Sequence, residues 1–471
     1  MPQSDRKHST IKTSLTNLLL NGASVPLGLH FAGVLTEMRR VQWLSQTELQ
    51  ARNESRLGVL LKHAAENVPF YRNFYREHGE LRSAGDLKSF PILTKTDYRQ
   101  CDPESLYATN VDPGLRIDRK TSGSTGQPFQ FSLDRTALPV IFASHLFYDS
   151  WHGLEPFDRY VRIVAPAAAQ LQSNASARVK LRSVLTSRLQ NFYERLTQEK
   201  IFVWEIDSEK AASVWRRLES FRPKFIMGYT SSLAALAGEL LKSDLRLSHP
   251  VRGVITIAET LTPNRRKLIE EYFEAPIINR YGLREFGSWS AQSCLESPDQ
   301  FHINTELVVC EILRDDGTPC APGETGRVVL TDLHNFARPF IRYDTGDLAV
   351  AAGGECACGR GFPLLGQIEG RSLECVRTPS GREISPVILG HFLFVYHDHV
   401  DSVLHYQLVQ EGTDRIVLSI VPGPGWTEER RIRMRSDLAQ LIGDNDVTVE
   451  VQTVAEIPVE KSGKRPIIKS L

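Results

Sequence analysis

Leu57, Leu60, Leu61, Ala64, Ala65 and Val68 recur at the three-and-four spacing that puts apolar side chains on one helical face. The pattern predicts an amphipathic helix from about Ser55 to Glu66 that ends before Pro69. Between Phe202 and Gly282 the periodicity alternates. Val214, Trp215, Leu218 and Phe221 mark the inner face of a helix, and the short apolar run Phe225-Ile226-Met227 follows. Thr230 is expected to cap a helix rich in Ala and Leu, and the β-branched content of Val251 to Ile257 reads as a buried strand. Thr262-Pro263 supplies a cap and a first-turn proline for a helix ending near Phe273, and Ile277-Ile278 opens another strand.

This β-α-β-α-β alternation predicts a parallel sheet with crossover helices, in which ligands sit where strands end in loops. Here those loops are Ala258-Glu259-Thr260 and Tyr281 to Gly287. After about Ile368 the texture changes to a strand at Arg415 to Val421, a helix at Thr427 to Ile442 and a strand at Val447 to Val454. The expected fold class is α/β: a large multi-subdomain N-terminal body with mixed and parallel sheets and crossover helices, plus a small mobile α/β C-terminal domain. The expected limits are an N-terminal extension over 1–45, a body over 46–370 and a C-terminal lid over 371–471. A length of 471 residues suits more than one core.

Charge narrows the function classes. Lys+Arg and Asp+Glu number 56 each, so no net charge draws the chain to nucleic acid or an anionic membrane, and any phosphate chemistry must be local. The apolar stretch Leu15 to Leu35 is broken by Asn17, Asn21, Ser24, Pro26 and His30, which suits neither a membrane span nor a secretory signal. A cytoplasmic protein is expected. Seven cysteines in so long a chain argue against a disulfide framework.

The segment Thr121-Ser122-Gly123-Ser124-Thr125-Gly126 offers hydroxyls and glycines that can close around phosphate oxygens, although a solvated Gly/Ser turn fits the composition equally. It lacks the Gly-Lys-Ser/Thr ending of a Walker loop. Downstream come Tyr281-Gly282-Leu283-Arg284-Glu285, Tyr343-Asp344-Thr345-Gly346-Asp347, Gly370-Arg371 and Ser462-Gly463-Lys464. Taken in this order, the segments resemble the motifs of the acyl-adenylate-forming (AMP-binding) superfamily. Three further markers are similar to the phenylacetate-CoA ligase branch, which includes capsular-polysaccharide and natural-product proteins: His63 to Tyr71, Pro91-Ile92-Leu93-Thr94-Lys95, and Cys356-Ala357-Cys358-Gly359-Arg360. The resemblance runs from about residue 50 to the C-terminus.

The resemblance implies an ATP-dependent, AMP-forming ligase that activates a carboxylic acid and transfers the acyl group to CoA. Carboxylate attack on a phosphate brings two anions together, so positive charge must be supplied locally. By the same resemblance Lys464 would bridge carboxylate and α-phosphate, and Glu285 would hold Mg²⁺. Asp347, assisted by Arg371, would bind the ribose, and Tyr281 would stack on adenine. Thr121 to Gly126, Glu259, Gly282 and Arg284 complete the implied nucleotide set, while Phe147, Tyr148 and Ala258 would line the acyl pocket for an aryl or short apolar acid. Cys294, His302, Cys356 and Cys358 form an acceptable tetrahedral set for structural Zn²⁺. Reduced cysteines in a surface loop are the plainer alternative.

Three positions depart from the family pattern. Gln127 replaces a lysine, Arg284 replaces a Ser or Thr, and Leu373 stands at the hinge, which puts the domain rotation and hence the CoA half-reaction in question. Two other outcomes therefore stay open: transfer of the adenylate to a carrier-protein thiol or an amine, and a zinc-braced binding protein without catalysis. Retention of Glu285, Asp347, Arg371 and Lys464 speaks against the last. No nucleic-acid or membrane partner is expected, and the assembly is open, a homodimer being the commonest for soluble enzymes.

Overall fold

The computed structural model describes residues 31–78, 87–88, 90–120, 129–155, 158–164, 197–203, 206–368, 376–380, 383–384, 389, 392–393, 402–457 and 468–470. Helix α1 (Phe31–Val41) sends Leu35, Met38 and Val41 into the main core, so part of the stretch left unexplained by the motifs packs with the body. Ser45 then starts α2 (Gln46–Asn67) with a capping box: its hydroxyl accepts from the Glu48 amide, and the Glu48 carboxylate takes the Ser45 amide. The helix thus begins well before the predicted Ser55. Its first turns carry Gln46, Glu48, Gln50 and Arg52, whose polarity hides the apolar rhythm. They are held instead by Leu49 and by an Arg52–Glu306 ion pair.

Next come α3 (Pro69–His78), α4 (Lys95–Gln100), the antiparallel pair β1 (Arg116–Lys120) and β2 (Gln130–Asp134), and α5 (Leu138–Ser150). The crossover half consists of β3 (Tyr160–Val164), β4 (Gln198–Phe202), α6 (Ser208–Phe221), β5 (Phe225–Tyr229), α7 (Thr230–Lys242), β6 (Gly253–Ile257), α8 (Pro263–Phe273) and β7 (Ile277–Gly282). Strands β3 to β7 pair in parallel, as the alternation predicts. One detail differs. Thr230 is the first helical residue and Tyr229 the cap, which makes no side-chain cap bond. The Glu259 carboxylate instead reaches across from the loop after β6 to accept from the Ser231 amide at 2.6 Å, a cap supplied by a neighbouring loop rather than by local sequence.

At β7 the sheet changes sense. Strands β8 (Trp289–Cys294), β9 (Ser297–Ile303), β10 (Val308–Leu313), β11 (Thr325–Asp332), β12 (Tyr343–Ala351) and β13 (Leu364–Ile368) pair antiparallel. The resulting eleven-stranded sheet runs β10-β11-β12-β13-β9-β8-β7-β6-β5-β3-β4.

Toward the C-terminus lie β14 (Val376–Arg377), β15 (Glu383–Ile384), β16 (Val403–Glu411), β17 (Arg415–Pro422), α9 (Glu428–Ile442), β18 (Thr448–Thr453) and β19 (Ile468–Ser470). A four-stranded sheet of order β18-β17-β16-β19 packs against α9 through Leu408, Leu418, Met434 and Leu438, a core distinct from that of the body. Thr427, expected as the first helical residue, is instead the cap of α9, its hydroxyl accepting from the Arg430 amide. No helix among the described residues is long and apolar enough to cross a membrane.

Gly361, between β12 and β13, donates its amide to Gln42 O at 2.9 Å, and a Cβ there would lie 1.8 Å from Leu44 O. Gly361→Ala therefore forces backbone apart, and we expect a loss of roughly 3 kcal/mol in urea unfolding. An unchanged midpoint would show that this contact yields freely.

Candidate functional site

Glu285, in the loop after β7, is a buried carboxylate at 3 % exposure. Lys95 Nζ lies 3.0 Å from its Oε1, and the Tyr343 hydroxyl donates to the same oxygen at 2.8 Å. Burial raises the carboxyl, but the Lys95 charge and hydrogen bonds from Lys95, the Glu285 backbone and Tyr343 outweigh it and leave Glu285 below the usual carboxylate range. An ionised, oxygen-rich ligand in a dry site is what a hard divalent cation selects. Lys95 is the first residue of α4, where the helix dipole disfavours a cation, so its placement answers to Glu285 rather than to the helix. Lys95 and Tyr343 each lie within a family-like motif, but nothing inside either motif shows that the two side chains meet on Glu285. The Thr94-x-x-Asp97 capping box, which is formed here, was the local signal for where α4 begins.

The second carboxylate is Asp347. The Tyr281 hydroxyl donates to its Oδ2 at 2.8 Å, and the Asp347 amide donates to Thr345 Oγ1 at 3.1 Å. Burial first, then the Asp347 charge, raise Tyr281 well above the ordinary phenol value, so it stays a donor. Tyr281 is thus tied to the carboxylate expected to hold ribose, an interaction that adenine stacking alone does not predict. Gly282 permits a bulge between β7 and β8: a Cβ there would meet Ser288 O at 2.7 Å. Arg284 is exposed, and its charge, after burial, lowers Arg119 below the ordinary arginine range. Two neighbouring guanidinium groups form an arrangement that an anion relieves.

Of the remaining expected residues, Ala258 is exposed with φ at 67°, a left-handed conformation uncommon outside glycine that clusters at functional loops. Glu259 is engaged with Ser231, as described above, and lies 4.0 Å from Arg265. Phe147 and Tyr148 are both 0 % exposed. Phe147 packs edge-on to Phe362, and the Tyr148 hydroxyl donates to His302 O at 3.2 Å, so both belong to the core behind the site rather than to an open pocket wall. Thr121 to Gly126, Gln127, Arg371, Leu373 and Lys464 lie outside the described residues.

Cys294, His302, Cys356 and Cys358 converge: one ligand atom from each lies within 4.8 Å of the others. Cys294 Sγ is 3.6 Å from Cys356 Sγ, and Cys358 Sγ is 3.4 Å from His302 Nε2. A disulfide would need about 2.05 Å. Tetrahedral zinc, with bonds of about 2.3 Å to sulfur and about 2.0 Å to nitrogen, separates its ligands by about 3.5–3.8 Å, which these spacings fit. Burial and then the two neighbouring cysteines push the Cys294 thiol up to about 12, as expected of a thiol that ionises only against a bound cation. Burial and then Arg360 lower His302 to about 4, keeping the imidazole neutral and able to donate a lone pair. Trp151 stands edge-on to the His302 ring at 5.4 Å, and Arg360 lies over Trp151 at 4.1 Å while bonding Gln42 Oε1 at 3.0 Å.

The Lys95–Glu285 pair makes stability pH-dependent. The folded pKa of Glu285 lies below its unfolded value, so the contribution is complete above about pH 4.3 and is lost as pH falls through the folded value. Lys95→Met strands a buried charge. We expect a cost of about 3–5 kcal/mol at pH 7 in guanidinium unfolding, shrinking at lower pH, where burial without Lys95 lets the carboxyl of the variant protonate. An equal loss at pH 7 and at lower pH would refute the ion-pair account.

Residues 376–470 match the family model described as CapK C-terminal domain. The chain is 31 % identical to a phenylacetate-coenzyme A ligase of Escherichia coli over 351 residues, covering 72 % of this chain and 74 % of the relative. It is 29 % identical to the phenylacetate-coenzyme A ligase of Thermus thermophilus, covering 79 % and 81 %, and 21 % identical to Protein CapK of Staphylococcus aureus, covering 87 % and 86 %. In fold it agrees with 2-hydroxyisobutyryl-CoA ligase in complex with 2-HIB-AMP and CoA, at a TM-score of 0.61 and 21 % identity over 92 % of each chain. With one relative 31 % identical over 72 % of this chain and 74 % of its own length, the chain belongs to the phenylacetate-CoA ligase family of AMP-forming acid–thiol ligases.

Proposed function

We propose that this chain uses ATP to activate an aryl or short apolar carboxylic acid as its acyl-adenylate and then passes the acyl group to CoA. One observation carries the reading. The segments Tyr281 to Glu285 and Tyr343 to Asp347 are cross-bonded, Tyr281 to Asp347 and Tyr343 to Glu285, so that two carboxylates are presented near the end of β7. Asp347 would accept from the ribose hydroxyls while Tyr281 fixes its orientation. Glu285 would hold Mg²⁺, which when bound supplies positive charge against the phosphates. The exposed Arg284, with Arg119 beside it, would add positive charge in place of the lysine missing at Gln127.

In the first step a substrate carboxylate oxygen attacks the α-phosphorus, and the bond to the bridging oxygen breaks so that pyrophosphate leaves with its electrons. In the second the CoA sulfur attacks the acyl carbon, AMP departs and the thiol proton is lost. The unit from about residue 371 onward would act as the lid, carrying Lys464 to the α-phosphate. Pyrophosphate release should depend on acid, ATP and Mg²⁺ and fall by about a hundredfold or more in Lys464→Ala. Thioester should appear when CoA is added. Release without thioester would move the acceptor to a carrier thiol or an amine, and no release with any acid of a broad panel would end the ligase reading.

The cysteine–histidine cluster would hold one structural Zn²⁺. With all four positions filled by protein it leaves no room for catalysis and would brace β8 and β9 against the Cys356 loop. Elemental analysis should find about one zinc per chain, and Cys356→Ser should lose it together with thermal stability. Full stability in a zinc-free Cys356→Ser protein would exclude a bracing metal.

A further inference from the structure

Arg342 combines a left-handed backbone, φ 46°, with nearly complete burial. Four of the five N–H donors of its guanidinium are bonded. Nε and Nη2 grip both Glu311 oxygens at 3.0 Å, while Nη1 donates to Lys88 O at 2.9 Å and to Phe90 O at 2.7 Å. Its amide donates to Thr331 Oγ1 at 3.0 Å, and its carbonyl accepts from the Leu93 amide at 2.9 Å. The Asp344 amide returns a bond to Leu93 O at 2.9 Å, closing a short parallel bridge between Leu93 and Tyr343. Two residues beyond Leu93 stands Lys95, and one residue beyond Arg342 stands Tyr343. These are the two side chains that meet on Glu285.

We propose that Arg342, backed by Glu311, is a positioning residue of the active site: it locks Lys88 and residues 90–95 to the start of β12 so that Lys95 and Tyr343 arrive together at Glu285. Arg342 touches neither substrate nor metal ligand and acts through the backbone it holds. A strained backbone persists only where its surroundings over-determine it, and here five side-chain and main-chain groups do so at the step before Tyr343. A planar fork with four bonds of fixed direction is a task for arginine that lysine cannot repeat. The inference rests on the reading of Glu285 as the metal-binding carboxylate, and its test includes a measurement independent of that reading.

Arg342→Lys, Arg342→Gly and the milder Glu311→Gln are compared with Arg52→Lys, which alters another bidentate pair, with Glu306, given no role in the site. Amide exchange over residues 88–97 is followed without ligand, and kcat and KM are measured for acid-dependent pyrophosphate release at varied Mg²⁺. The expected result is faster exchange over 88–97 and a fall in kcat of about tenfold or more, with a weaker response to Mg²⁺, in the Arg342 and Glu311 variants. Arg52→Lys should lower the melting temperature without either change. Glycine accepts the left-handed φ freely, so full kcat in Arg342→Gly would overturn the proposal. So would unchanged exchange over 88–97 in Glu311→Gln, or a kcat loss in Arg52→Lys matching the others at equal loss of melting temperature. Should the wild-type protein release no pyrophosphate, the ligase reading would fail, and the exchange data would still decide whether Arg342 holds the segment.

Discussion

A carboxylate buried to 3 % exposure and kept ionised must be compensated where it stands, and Glu285 sets this requirement on the elements around it. The compensation is assembled from distant chain segments: Lys95 from the first turn of α4 and Tyr343 from the start of β12. Neither can reach Glu285 unless α4 is docked against β12, which the backbone bridge between Leu93 and Tyr343 accomplishes. The charge therefore selects a tertiary arrangement.

The same region is where the main sheet changes from parallel to antiparallel. Parallel strands β3 to β7 bring their ends and following loops to one edge, placing Ala258, Glu259 and Tyr281 together. The turn into β8 then requires a bulge and the close approach of backbone to Gly282. Left-handed backbone at Ala258 and Arg342 lies in the same region, while β6 behind the rim is buried along its whole length. Precision at the rim is thus supported by a conventionally packed interior.

Behind the sheet, β8 and β9 carry Cys294 and His302 toward the Cys356 loop, and Arg360 joins that loop to Trp151 and Gln42. Through Arg360 and Gly361 the segment after the Cys356 loop is tied to the turn between α1 and α2. Phe147, Tyr148 and Trp151 fill the space between, which accounts for aromatic residues that the chain's pattern alone leaves available for a binding pocket.

Local pattern was sufficient for much of the chain. The β-α-β-α-β order, the Thr262-Pro263 start, the strand at Arg415 and the helix ending at Ile442 depend on periodicity and on bonds within a few residues, which sequence carries directly. The ordered motifs likewise identified the family, and the cysteines and histidine picked out by spacing do converge. What the sequence left undetermined is non-local: the early start of α2, the trans cap from Glu259, the burial of Phe147 and Tyr148, and the partners Lys95 and Tyr343. Residue type and spacing state which groups can ionise, bond or bury. Only chain closure decides which of them meet, because an ion pair between residues 95 and 285 or a bond between 343 and 285 has no signature within either segment.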